Sequence, residues 1–106
     1  MTEKMTRAKL DARIDYLNRL TGSPIEPYSK DTDGNWVANH GNFHIEGAYG
    51  GYKLARMAGL NGCSQDPLNT GYVSMRALYD AMDCYIRALE DVRRGHVTVE
   101  FYREAA

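Results

Sequence analysis

The sequence predicts an α+β domain built as helix, three-stranded antiparallel sheet, helix. Three observations carry this: helical periodicity in both outer segments, strand-like alternation in the glycine-bracketed middle, and a composition suited to one core. With 106 residues, 43% of them hydrophobic, residues 1–106 can form a single domain that buries its own core without disulfides or a metal.

From Thr6 to Leu20, Leu10, Ile14, Leu17 and Leu20 recur at helical spacing. Thr6 can cap the start, and Thr21-Gly22 supplies the closing glycine. The following SPIEPYSKDTDG carries two prolines and ends on Asp33-Gly34, which reads as an irregular connection and a turn. Asn35 to His40 and Asn42 to Ala48 are rich in aromatic and β-branched residues, and are expected to pair as antiparallel strands around Gly41. In the second of these, Phe43 and Ile45 alternate with His44 and Glu46, giving one apolar and one polar face. The segment YKLARMAGL is compatible with helix or strand, and its shortness between glycines favours strand. Asn61 to Tyr72 is a run of turn-formers, expected as loop.

Ser74 to Arg93 is the strongest helix. Met75, Leu78, Tyr79, Met82, Ile86 and Leu89 form one apolar stripe, and Arg76, Asp80, Asp83, Arg87, Glu90 and Asp91 lie opposite. A second strip of small residues, Ala77, Ala81, Cys84 and Ala88, invites close packing, either by the first helix or by a second copy of the chain, so a homo-oligomer is expected. Arg93-Arg94-Gly95 ends the helix. The tail from residue 95 to 106 alternates Val97, Val99 and Phe101 against Thr98, Glu100 and Tyr102, and offers an extra C-terminal strand.

A formal charge of -1 and a pI near 6.3 argue against nucleic acid as a partner, since phosphate neutralisation needs a surplus of Lys and Arg. The element order is shared with double-stranded RNA-binding domains. Their second helix opens with phosphate-gripping lysines, whereas this one opens Ser74-Met75-Arg76-Ala77, so only the topology is analogous. Met1 leads into TEKMTRAKLDAR, which has no apolar leader, and no apolar run could span a bilayer, so a cytoplasmic setting without membrane contact is expected. Cys63 and Cys84 form no C-x-x-C pair and are expected as free thiols.

No catalytic or metal-ligating set emerges. His40 and His44 are four apart in strand-like sequence, about 13 Å, too far to share one ion. GAYGGYK lacks the glycine and hydroxyl of a phosphate loop. Cys84 sits among alanines on an apolar-flanked helix, and Cys63 has no cationic sequence neighbour to activate it. The expectation is therefore a non-enzymatic protein with no cofactor.

What the sequence does concentrate is recognition chemistry, between Trp36 and Arg56. Trp36, Tyr49 and Tyr52 offer flat faces, Asn39, Asn42 and His44 can read polar edges, and Lys53 or Arg56 can meet a phosphate or carboxylate. The same inventory serves a small nucleotide-type ligand or a protein interface.

The run Asn39-His40-Gly41-Asn42-Phe43-His44-Ile45-Glu46-Gly47-Ala48-Tyr49-Gly50-Gly51, followed by Leu54 to Met57 and by Leu78-Tyr79, resembles a family of small uncharacterised proteins of tailed bacteriophages and prophages. Arg13 to Gly22 fits the same pattern, and the likeness spans roughly residues 10 to 92. It implies a phage protein in the host cytoplasm and supplies no catalytic residues. The expected function is antagonism of a host process, such as anti-phage defence, by sequestering a nucleotide-derived signal or by blocking a host protein. A virion or DNA-packaging accessory, or a regulatory nucleic-acid binder, is the alternative.

Overall fold

The structure of the protein, a computed structural model, describes residues 4–59 and 62–100. Helix α1 (Arg7–Thr21) begins where the Thr6 side chain accepts a hydrogen bond from the Lys9 N–H, and ends on Gly22 in the left-handed conformation. Helix α2 (Met75–Arg93) begins where the Ser74 hydroxyl accepts from the Ala77 N–H. Both caps lie where the sequence puts them.

The middle of the chain forms two sheets, not the single three-stranded sheet expected. Strands β1 (Tyr28–Lys30) and β2 (Trp36–Ala38) pair as a ribbon, and β3 (Phe43–Ala48), β4 (Gly51–Met57) and β5 (Ser64–Gln65) form a separate antiparallel sheet in that order. The expected pairing around Gly41 is thus replaced. Trp36–Ala38 pairs backward with Tyr28–Lys30, inside the segment read as irregular, and Phe43–Ala48 pairs forward with β4.

Two asparagines explain the switch. Asn42 Nδ2 donates to the carbonyls of Pro24 (2.8 Å) and Ile25 (3.1 Å), and Asn39 Nδ2 donates to that of Glu26 (2.9 Å). These bonds hold the proline-containing segment beside residues 39–42, so β1 takes the place beside β2. Meanwhile the Gly41 N–H bonds to the Met57 carbonyl, and the Met57 N–H to that of Asn42, which starts the β3–β4 ladder.

The helices cover one face of the larger sheet, α1 against β3 and α2 against β4. Leu10 and Leu17 of α1, Phe43 of β3, Leu54 of β4, and Leu78, Met82 and Ile86 of α2 make one buried cluster. The register puts Phe43, Ile45 and Gly47 opposite Arg56, Leu54 and Tyr52, with His44 and Glu46 opposite Ala55 and Lys53. Directly opposed residues share a face. The first set therefore looks toward the helices, the second away from them.

Between the helices, Arg13 Nη2 donates to Asp83 (2.7 Å) and the Tyr16 hydroxyl to Glu90 (2.6 Å). The Glu90 carboxylate accepting that bond raises the Tyr16 pKa above its ordinary value. Helix α1 thus meets α2 along Asp83 and Glu90, not along the small-residue strip as one reading had it. Ala77, Cys84 and Ala88 stay exposed and Ala81 is half-buried.

After Gly95 the tail turns back on the helix, with the N–H groups of His96 (2.9 Å) and Val97 (3.3 Å) aimed at the Asp91 carbonyl. Residues 97–100 are in no strand, contrary to the expectation, and the rest of the tail lies outside the described residues.

Candidate binding surface

The β3–β4 connection is a two-residue turn, Tyr49-Gly50, closed by the pair Ala48 and Gly51. Both central residues have positive φ, 53° for Tyr49 and 73° for Gly50, as the twist of a tight hairpin demands. Asn or Asp is the usual first residue of such a turn. A tyrosine in this region bears a steric cost of roughly 1–2 kcal/mol, yet its side chain is 95% exposed. The fold gains little from this ring.

Beside the turn, Gly51 permits a close approach. The N–H and C=O of Tyr52 bond to the C=O and N–H of Val73 at 2.7 and 2.9 Å, and a Cβ on Gly51 would lie 3.0 Å from the Tyr72 and Val73 backbone. Any side chain there would push the 72–73 segment off the sheet. Held in this way, Tyr72 meets Tyr49 edge-to-face, with centroids 5.5 Å apart, and receives the Lys53 ammonium 4.8 Å above its ring.

A polar row continues down the same face. Lys53 Nζ lies 3.9 Å from Glu46 Oε2, His44 Nε2 lies 3.4 Å from Glu46 Oε1, and the Ser64 hydroxyl donates to that same Oε1 at 2.9 Å. The Asn42 Oδ1 faces His44 Nδ1 at 3.2 Å. The helix-free face thus presents two tyrosines and a lysine at one end, then a glutamate joined to a histidine and a serine.

Of the residues singled out by sequence, Tyr49, Lys53 and His44 gather on this surface. The others are dispersed. Tyr52 faces the helices, packs against the core and has the Arg7 guanidinium 5.9 Å from its ring. Arg56, on that same side, donates to Gln65 Oε1 at 2.7 Å. Asn42 is fully buried and Asn39 accepts from the Ser29 hydroxyl, so both tie loops together and neither amide is free to read a ligand. Trp36 is 67% exposed on the β1–β2 ribbon, with Lys30 Nζ 5.3 Å over its ring.

Sequence reasoning missed Tyr72, Glu46 and Ser64. Tyr72 and Ser64 lie in a run of turn-formers, and nothing local marks either as a neighbour of β4. The one legible hint was glycine in a strand, since Gly51 signals that another backbone comes near.

Among the described residues, no three or more His, Cys, Asp or Glu side chains are grouped to hold a metal ion, and no helix is long and apolar enough to cross a membrane. Comparison with protein-family models, with curated proteins and with solved structures finds no match for the chain.

Proposed function

We propose that the chain is a non-enzymatic phage accessory protein that antagonises a host process by docking the Tyr49 end of its sheet on a host protein. The phage setting rests on the resemblance of the Asn39 to Gly51 motif. The choice of a protein partner rests on one observation, an exposed tyrosine held in a backbone conformation that disfavours it. Strain of this kind persists where surrounding structure enforces it and function uses it. Small-molecule sites are concave and bury most of their ligand, whereas Tyr49 stands at a convex hairpin tip. A projecting aromatic flanked by Tyr72 and Lys53 is the form of a protein-interface anchor.

The test compares immobilised wild-type chain with Tyr49→Asn in a bacterial lysate. The proposal expects a protein retained by wild type and reduced about tenfold or more by the substitution, as loss of a central anchor implies. Equal retention by both would end it. Nucleotide released from the wild-type protein on denaturation, with no protein retained, would instead support sequestration of a nucleotide-derived signal.

A further inference from the structure

Strand β3 is an edge strand, and half of its edge is already closed by the protein itself. Because the backbone groups of Tyr52 bond to Val73, its β3 partner Gly47 must aim its own N–H and C=O away from β4. Phe43 and Ile45 share that direction. At Phe43 the edge is stoppered by Asn18, whose Oδ1 accepts the Phe43 N–H (2.8 Å) and whose Nδ2 donates to the Phe43 carbonyl (3.0 Å). Ile45 and Gly47 have no such partner among the described residues.

Gly47 is a second observation at the same place. Its φ is unremarkable, and a Cβ there would meet its nearest neighbours at 3.7 Å, an ordinary contact. The protomer does not need glycine here. Glycine inside a strand otherwise marks the close approach of another backbone.

A third observation is a strand-like segment without a sheet. Val97 and Val99 are 49% and 50% exposed, and residues 97–100 are in no strand. We propose that residues 97–100 of a second copy add to the free edge of β3, antiparallel, with Val97 opposite Gly47 and Val99 opposite Ile45. In that register Thr98 falls opposite Glu46 and Glu100 opposite His44, both on the helix-free face. A hydroxyl then meets a carboxylate, and a carboxylate meets an imidazole. Val97 fills the space that Gly47 leaves, and Val99 packs beside Ile45. The Val97 N–H leaves only its 3.3 Å contact with the Asp91 carbonyl, which keeps the His96 N–H at 2.9 Å.

The segment of the same chain does not reach. Helix α2 starts beside Tyr52, the partner of Gly47, and has reached Phe43 at the other end of β3 by Tyr85. It then runs eight residues further, about 12 Å, to Arg93, while Gly47 lies about 13 Å back along the strand from Phe43. Arg94, Gly95 and His96 let the chain from Arg93 to Val97 span at most about 14 Å, well short of that separation. Reciprocal exchange around a two-fold axis therefore closes a dimer. This pairing is independent of the Tyr49 reading, because Tyr49→Asn leaves it intact.

The experiment uses full-length chain with Cys63→Ser and Cys84→Ser, carrying Glu46→Cys with Thr98→Cys. These positions form a directly opposed pair in the proposed register, close enough for a disulfide. Mild oxidation is expected to give a covalent species of twice the 12.0 kDa chain mass. Glu46→Cys with Val99→Cys, whose side chains point to opposite faces, is expected to give little. In light scattering the wild type is expected as a dimer, with Val99→Pro raising its dissociation constant about tenfold or more by removing a ladder N–H. Unfolding of the proline variant is not at issue, since the Val99 N–H bonds nothing described in the protomer. A monomeric wild type, a disulfide formed within one chain, or equal cross-linking by both cysteine pairs would overturn the proposal.

Discussion

Asn18 shows how one side chain can stand in for a strand. It is 1% exposed and satisfies both backbone groups of Phe43 from the helix above. Asn18→Ala leaves a buried donor and acceptor unpaired, so chemical denaturation should show a loss of about 2–4 kcal/mol. Gly51→Ala is expected to cost about 1–3 kcal/mol, because its Cβ would press on the Tyr72 and Val73 backbone. That variant should also loosen the Tyr49–Tyr72 contact, which near-ultraviolet circular dichroism would register. The role of Asn18 was not legible in sequence, and Gly51 signalled only that some backbone comes near. An asparagine in a helical stripe and a glycine in a Gly-Gly pair have many uses, and only the folded chain reveals which neighbour each one meets.

Between elements, what the sequence conveyed was periodicity and end signals. Both helices, their capping residues and the strand nature of Gly51–Met57 follow from local pattern. The pairing of strands did not, because it is decided by Asn39 and Asn42 reaching carbonyls more than ten residues away. The candidate surface shares this limit. Tyr49, Lys53 and His44 were found as residue types, while Tyr72 reaches them through a bridge that no local rule foresees. The α1–α2 junction gives a prediction at this scale. Tyr16 has a folded pKa raised by its bond to Glu90, so the stability it contributes is complete below the unfolded tyrosine pKa of about 10 and is lost as pH rises through the higher folded value. Melting temperatures followed from pH 8 to 11 should fall at the alkaline end, and Tyr16→Phe should fall less over that interval.

For the molecule as a whole, the helices bury one face of the larger sheet, while the other buries Ala55 and Met57 and carries the polar row of Lys53, Glu46 and His44. The core cluster of Leu10, Leu17, Phe43, Leu54, Leu78, Met82 and Ile86 draws on both helices and both long strands, so Leu54→Ala should destabilise the whole domain by about 2–5 kcal/mol, seen as one earlier cooperative unfolding transition. Tyr49, with Tyr72 and Lys53 beside it, stands at the hairpin end of the helix-free face, outside that buried cluster. A substitution of Tyr49 at the tip should therefore leave the stability of the domain nearly unchanged.

The most direct test is the unfolding free energy of Tyr49→Asn beside wild type, measured in urea. Asparagine suits the first turn position, relieving a cost of roughly 1–2 kcal/mol, while the lost edge-to-face contact with Tyr72 is worth roughly 0.5–1.5 kcal/mol, at its lower end for so exposed a ring. Stability equal to or above wild type is therefore expected, and means that Tyr49 is kept for something outside the fold. A loss of more than about 1 kcal/mol, on the scale of an ordinary destabilising substitution, would show that the ring serves the fold itself and would remove the ground for a docking surface at this end of the sheet.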